Sequence, residues 1–177
     1  MLEVYIDGAS AGNPGHSGAG IFMKKDGAVE RYSIPLGIME NHEAEYWALI
    51  KALEICTQKQ VQTASFRTDS QAIWSAMEKE FAKNKKYAPL LEQALQLSKQ
   101  IPLFFIKWIP SGQNKGADEL ARKAVILSKE GFKDVVYNDF YIGENSEVTI
   151  IAGCAIHNDS EEVSQHDGIH RFFLSEN

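Results

Sequence analysis

Four acidic side chains carry the chemistry this sequence can perform: Asp7, Glu45, Asp69 and Asp118. Each has an ordinary role if taken singly. Asp7 precedes Gly8 and can cap a turn. Asp69, or Ser70 beside it, can cap the helix that follows. Glu45 and Asp118 lie near helix starts, where the helix dipole favours a carboxylate. Taken together they share a setting, because strand ends and first helical turns are where open α/β sheets bind ligands. Glu45 adds a second signal. It lines up with Leu49, Ala52 and Cys56 on one helical face, an apolar stripe where an unpaired charge is costly. Four carboxylates brought together repel one another unless cations sit among them. Ligands that are all oxygen suit Mg²⁺ or Mn²⁺ and not zinc. Two such ions, roughly 3.5–4 Å apart, support phosphoryl transfer, one activating water and the other stabilising the leaving oxygen.

The elements that must position these acids follow from periodicity and punctuation. Leu2, Val4 and Ile6 alternate with polar partners, which predicts a half-buried strand ending at Asp7. Gly8 to Gly18 reads as a Gly-rich loop. Strands are expected over Ala19 to Lys25 and Val29 to Leu36, joined by the hairpin signal Asp26-Gly27. A helix is expected from Asn41 or His42 to about Gln58. A short strand follows from Ala64 to Thr68. The next helix starts at Ser70, with Ala72, Ile73, Ala76 and Met77 as its apolar positions. Pro89 opens a further helix to about Gln100. Leu103 to Ile109 is an apolar strand, and a last helix spans Lys115 to Lys129, with Gly131 as its stop. This order implies an α/β domain: a five-stranded mixed sheet, its first three strands antiparallel, flanked by helices.

Charge divides the chain. The net charge of −6 is spread unevenly: residues 1–130 net +1, and residues 131–177 net −7. With the four acids neutralised by cations, the first part nets about +5 and can attract phosphate. Residues 1–130 therefore read as the domain, and 131–177 as an acidic appendage too short for an ordinary domain of its own. Within the appendage, Val148 to Ile156 is a strand candidate and 158–162 a solvated stretch. His157, His166 and His170 read as scattered surface histidines. The appendage can also cover a sheet edge. No apolar run reaches the roughly 18 residues of a membrane span. No secretory leader is visible at Met1. Cys56 and Cys154 make no disulfide framework, and Cys56 reads as core. A cytoplasmic setting is the expectation.

The run from Asp7-Gly8-Ala9-Ser10 through Asn13-Pro14-Gly15, then Gly18 and Gly20, resembles the opening of type 1 ribonuclease H. Asn41-His42-Glu43-Ala44-Glu45, Thr68-Asp69-Ser70-Gln71 and Asn114 to Arg122 resemble its later motifs, in the family's order, over residues 1–130. The resemblance implies the RNase H fold. It implies two Mg²⁺ (or Mn²⁺) ions held by Asp7, Glu45, Asp69 and Asp118. It implies hydrolysis of the RNA strand of an RNA–DNA hybrid, leaving a 5′-phosphate and a 3′-hydroxyl. Ser10, Asn13, Asn41 and Gln71 match substrate-contacting positions, and short polar side chains suit the 2′-hydroxyls that mark the RNA strand.

The sequence departs from the family in three places. The loop Pro110-Ser111-Gly112-Gln113-Asn114 lacks the histidine that many members carry, and an amide cannot shuttle protons. The long basic loop is reduced to Lys79, Lys83, Lys85 and Lys86, with Phe81 and Tyr87. Glu40 replaces a hydroxyl residue that often contacts a strand phosphate, which points to a weak or altered grip. These departures keep open a catalytically weak or inactive module that binds hybrids or a protein. Another nuclease of the same metal chemistry is a second alternative, although the first strand lacks the Asp-x-Glu pair of a proofreading exonuclease. With no loop histidine, turnover is expected to be slow. A pH–rate profile is expected to show no step assignable to an imidazole in that loop.

Overall fold

The computed structural model describes residues 1–131, 136–142 and 168–174. The strands are β1 (Leu2–Ser10), β2 (Gly15–Lys25), β3 (Ala28–Met39), β4 (Thr63–Thr68), β5 (Leu103–Trp108), β6 (Val136–Ile142) and β7 (Gly168–Leu174). The helices are α1 (Asn41–Gln58), α2 (Gln71–Lys79), α3 (Ala88–Ser98) and α4 (Lys115–Lys129). Strand order across the sheet is β5-β4-β1-β2-β3-β6-β7. β1, β2 and β3 are antiparallel, and β4 pairs in parallel with β1 and with β5. The five-stranded mixed sheet is the one expected. The appendage lengthens it: β6 lies antiparallel to β3 at Val29 and Tyr141, and β7 lies parallel to β6. The expected strand at 148–156, the stretch 158–162 and Cys154, His157 and His166 fall outside the described residues, while His170 falls in β7.

The β2–β3 hairpin forms where Asp26-Gly27 called for it. Both residues hold positive φ, 49° and 81°, as a two-residue turn matching the strand twist requires. The Gly-rich stretch is different from the expected loop. β1 continues through Gly8 to Ser10 and β2 already begins at Gly15, so only Ala11 to Pro14 turn. Glycine there permits close packing and not looping. An added Cβ on Gly8 would stand 2.4 Å from the Ala44 carbonyl carbon of α1. One on Gly20 would stand 2.1 Å from the Ala117 oxygen and 2.4 Å from the Ala121 nitrogen of α4. Gly8 pairs with Ala19 and Asp7 with Gly20, and cross-strand partners share a face. Hence α1 packs on the face carrying Ile6 and Gly8, and α4 on the face carrying Asp7 and Gly20.

The main core lies under α1, with Val4, Ile6, Ile21, Leu49, Ile50, Leu53, Cys56 and Phe66 all at most 2 % exposed. Cys56 is a free thiol in that core, pushed up to about 12 by burial. In α2, Ile73, Ala76 and Met77 are buried as expected, whereas Ala72 is exposed. No described helix is long and apolar enough to cross a membrane.

Gly20→Ala is expected to lose about 1–3 kcal/mol in urea unfolding, because α4 must lift from the sheet. Gly112→Ala, where an added Cβ meets nothing within 4 Å, should stay within about 0.5 kcal/mol.

Candidate active site

The site is built where β4 stops and β1 does not. The last parallel pair between them is Ile6 with Thr68. The next residues along the two strands are Asp7 and Asp69, so the register alone sets two acids side by side. β1 runs on to Ser10, while the chain after Asp69 turns into α2. Ser70 makes that turn: its Oγ accepts from the Ile73 N–H at 3.3 Å and so caps α2. Of the two possible caps, Ser70 serves, and Asp69 is left for other work.

Glu45 arrives from the other face of the sheet. It is the fifth residue of α1 and not in the first turn, where Glu43 lies. Its carboxylate accepts a hydrogen bond from Ser70 Oγ at 2.9 Å and lies 2.9 Å from His42 Nδ1. The third neighbour, Asp118, lies in the first turn of α4 and pairs with Arg122 Nε at 3.1 Å. Asp7, Glu45, Asp69 and Asp118 line one open cleft, together with Ser10, Asn41 and Arg122. The four acids singled out in the sequence thus line the same cleft.

Their electrostatics show the crowding. Burial pushes the Asp7 carboxyl up to about 8, with the charges of Asp69, Asp118 and Glu45 adding to the rise. Burial also raises Asp69, against which its own backbone N–H and the Asn114 amide work. The donor set is oxygen only. Among the described residues, no group of three or more His, Cys, Asp or Glu already stands as a metal shell. An all-oxygen donor set is the kind that hard cations such as Mg²⁺ take, with one or two carboxylates each and several waters retained. A further acceptor is left over beside the acids: Asn114 Oδ1 is buried and has no hydrogen-bond partner. A hydrated cation is the kind of group that satisfies both features.

The predicted substrate contacts divide. Ser10 and Asn41 line the cleft, and Ser10 Oγ lies 2.6 Å from Ser17 Oγ. Asn13 sits at the rim, its Oδ1 accepting from the Asn41 N–H at 3.1 Å. Gln71 is exposed at the start of α2 and does not line the cleft. The loop without histidine forms a short 3-10 turn, Ser111–Gln113.

Three residues at the site escaped the sequence reading. Asn114 is only 1 % exposed, and its Nδ2 donates to the Ile6 carbonyl at 2.9 Å, which pins the start of α4 to β1 just before Asp7. An Asn directly before a helix was the available signal. His42 supplies an imidazole beside Glu45, held edge-on by Tyr46 and Tyr87 at 5.1 and 4.7 Å. Trp108 Nε1 donates to the Asp69 carbonyl at 3.1 Å. His42 stands three residues before Glu45 on one helix, so helical spacing was the signal there; only long-range packing reveals Trp108.

The raised Asp7 carboxyl sets a sign. Its folded value lies above the ordinary 3.8, so the fold is favoured while the group is protonated, and stability drains as pH climbs from the ordinary range towards 8. Between pH 6 and 8, without divalent ions, stability is expected to fall by up to about 1.4 kcal/mol per unit. Asp7→Asn should flatten that slope and raise the midpoint of thermal unfolding near pH 8. Equal slopes for the two proteins would contradict the crowding described here.

The geometry has close counterparts. A family model described as reverse transcriptase-like matches residues 6–124. EbsB of Enterococcus faecalis, provisionally named a hydrolase, is 46% identical over 127 residues, which covers 71% of this chain and 94% of that protein. The RNase H1 structure from Halobacterium salinarum shares 30% identity at a TM-score of 0.67, over 71% of this chain and 97% of its own. LC11-RNase H1, solved in complex with an RNA/DNA hybrid, shares 26% identity at a TM-score of 0.67, over 73% of this chain and 99% of its own. With the sheet order, the motif order and these relatives in agreement, the chain belongs to the reverse transcriptase-like family and is an enzyme of its type 1 ribonuclease H branch.

Proposed function

We propose that this enzyme hydrolyses the RNA strand of RNA–DNA hybrids, with Asp7, Glu45, Asp69 and Asp118 holding two Mg²⁺ or Mn²⁺ ions. The observation that carries the reading is the convergence of these four chain-distant acids on one cleft. The relative solved with a hybrid supports the substrate class. The bound ions would supply an activated water and charge stabilisation at the phosphate, giving a 5′-phosphate and a 3′-hydroxyl.

The chain's own residues do the positioning. Asp7 and Asp69 are fixed by strand register, which holds their carboxylates within a narrow range of geometry. Ser70 and His42 orient Glu45 from two sides. Arg122 steadies Asp118 and adds a cation at the cleft wall. Ser10 and Asn41 offer hydroxyl and amide groups to a strand lying in the cleft, and Asn13 keeps the Asn41 backbone in place. Gln71 extends that contact surface along α2. The work is expected in the cytoplasm.

A labelled hybrid incubated with Mg²⁺ or Mn²⁺ tests the reading. Cleavage of the RNA strand is expected, and Asp69→Asn should lower kcat by at least about 100-fold while the protein still binds the hybrid. Hybrid binding without cleavage by the wild type would instead establish a binding module. Equal cutting of duplex DNA would establish a nuclease of broader range.

A further inference from the structure

Outside the carboxylate cluster, one anionic group is held the way a phosphate is held. Glu40 occupies the cap position of α1, yet its side chain does not cap the helix. It turns instead to Lys86 Nζ, at 2.9 Å, and accepts from the Tyr87 hydroxyl at 2.5 Å. These bonds hold the Glu40 carboxyl below the usual range, the Tyr87 hydroxyl being the larger cause, and push the Tyr87 phenol up to about 12.

Of the three groups, only Tyr87 is held in place. Tyr87 is 5 % exposed, and its ring stacks on Tyr46 at 5.6 Å and meets His42 edge-on. Its hydroxyl is therefore a fixed donor. The carboxylate of Glu40 and the ammonium of Lys86 are 37 % and 57 % exposed, at the surface. Asn41, the next residue, lines the acid cleft. Through Glu40, the neighbour of Asn41, an ammonium and a phenol already shaped around one anion stand next to that cleft.

We propose that Glu40 is an internal stand-in for a backbone phosphate. When nucleic acid binds, a strand phosphate takes Lys86 Nζ and the Tyr87 hydroxyl, and the Glu40 carboxylate swings out to solvent. The proposal rests on the nucleic-acid reading above for the direction from which the anion comes. The Tyr87 hydroxyl has one proton to donate, so phosphate and carboxylate compete for it, and each binding event exchanges one ion pair for another. The net gain from Lys86 is small, and the salt dependence of binding is flatter than the lysine count implies.

Glu40→Gln tests this, since the amide oxygen can still accept from Tyr87 and thermal unfolding will confirm the fold. Binding of hybrid and of duplex DNA is measured in Ca²⁺ at several salt concentrations. The variant is expected to bind both up to about fivefold more tightly at low salt. Its plot of log affinity against log salt should steepen by about 0.9. Adding Lys86→Met should abolish both changes. Unchanged affinity and slope on both duplexes would overturn the proposal. So would a gain that survives loss of Lys86. Thermal stabilisation of the variant by inorganic phosphate, at matched ionic strength and with duplex affinity unchanged, would mark a free-anion site and overturn the strand assignment. Because the DNA arm needs no hybrid preference and no cleavage, failure of the ribonuclease reading is seen separately in the wild-type cleavage assay.

Discussion

Two helices touch bare backbone on opposite sides of one strand pair, and the rest of the structure depends on that contact. At Gly8 the chain of α1 lies where a side chain would be; at Gly20 the chain of α4 does. The first approach brings Glu45 towards the end of β4, and the second brings Asp118 over Asp7. Main-chain atoms cannot yield as a flexible side chain can, so these positions define the width of the acid cleft as well as the packing of the layers.

That closeness has an electrostatic cost. Bringing four half-buried carboxylates together opposes folding at neutral pH. The surrounding groups offset part of the cost. Ser70 serves twice, capping α2 and donating to Glu45. Arg122 faces Asp118 from the next helical turn. Asn114 joins β1 to α4 and faces Asp69. None of these contacts neutralises Asp7. Under the two-metal reading proposed above, the same crowding would favour cation binding.

Much of this was legible beforehand because the signals were local. The bounds of α4, the Asp26-Gly27 turn and the core position of Cys56 each follow from a few neighbouring residues. The four acids were legible for a different reason: their motifs stand in a recognisable order. What escaped notice depended on contacts across the fold. Glycine-rich composition between Gly8 and Gly18 reads as loop from the chain alone; only the helices packed upon it show that it is strand. Glu45 reads from the chain as a residue near a helix start, and the structure puts it fifth in α1, beyond the first turn. Glu40 looked like a bare negative charge, and its partners lie 46 and 47 positions further along the chain, at Lys86 and Tyr87. The continuation of the sheet through β6 and β7 had no local signature strong enough to place it.

Trp108 closes β5 with its indole N–H bonded to the main-chain oxygen of Asp69. The chain has three tryptophans, and Trp47 and Trp74 make no such bond to the acids. Indole emission depends on the polarity and hydrogen bonding around the ring. The enzyme therefore carries a built-in optical reporter wired to the backbone of one of its acids, able to register small displacements there without any attached dye.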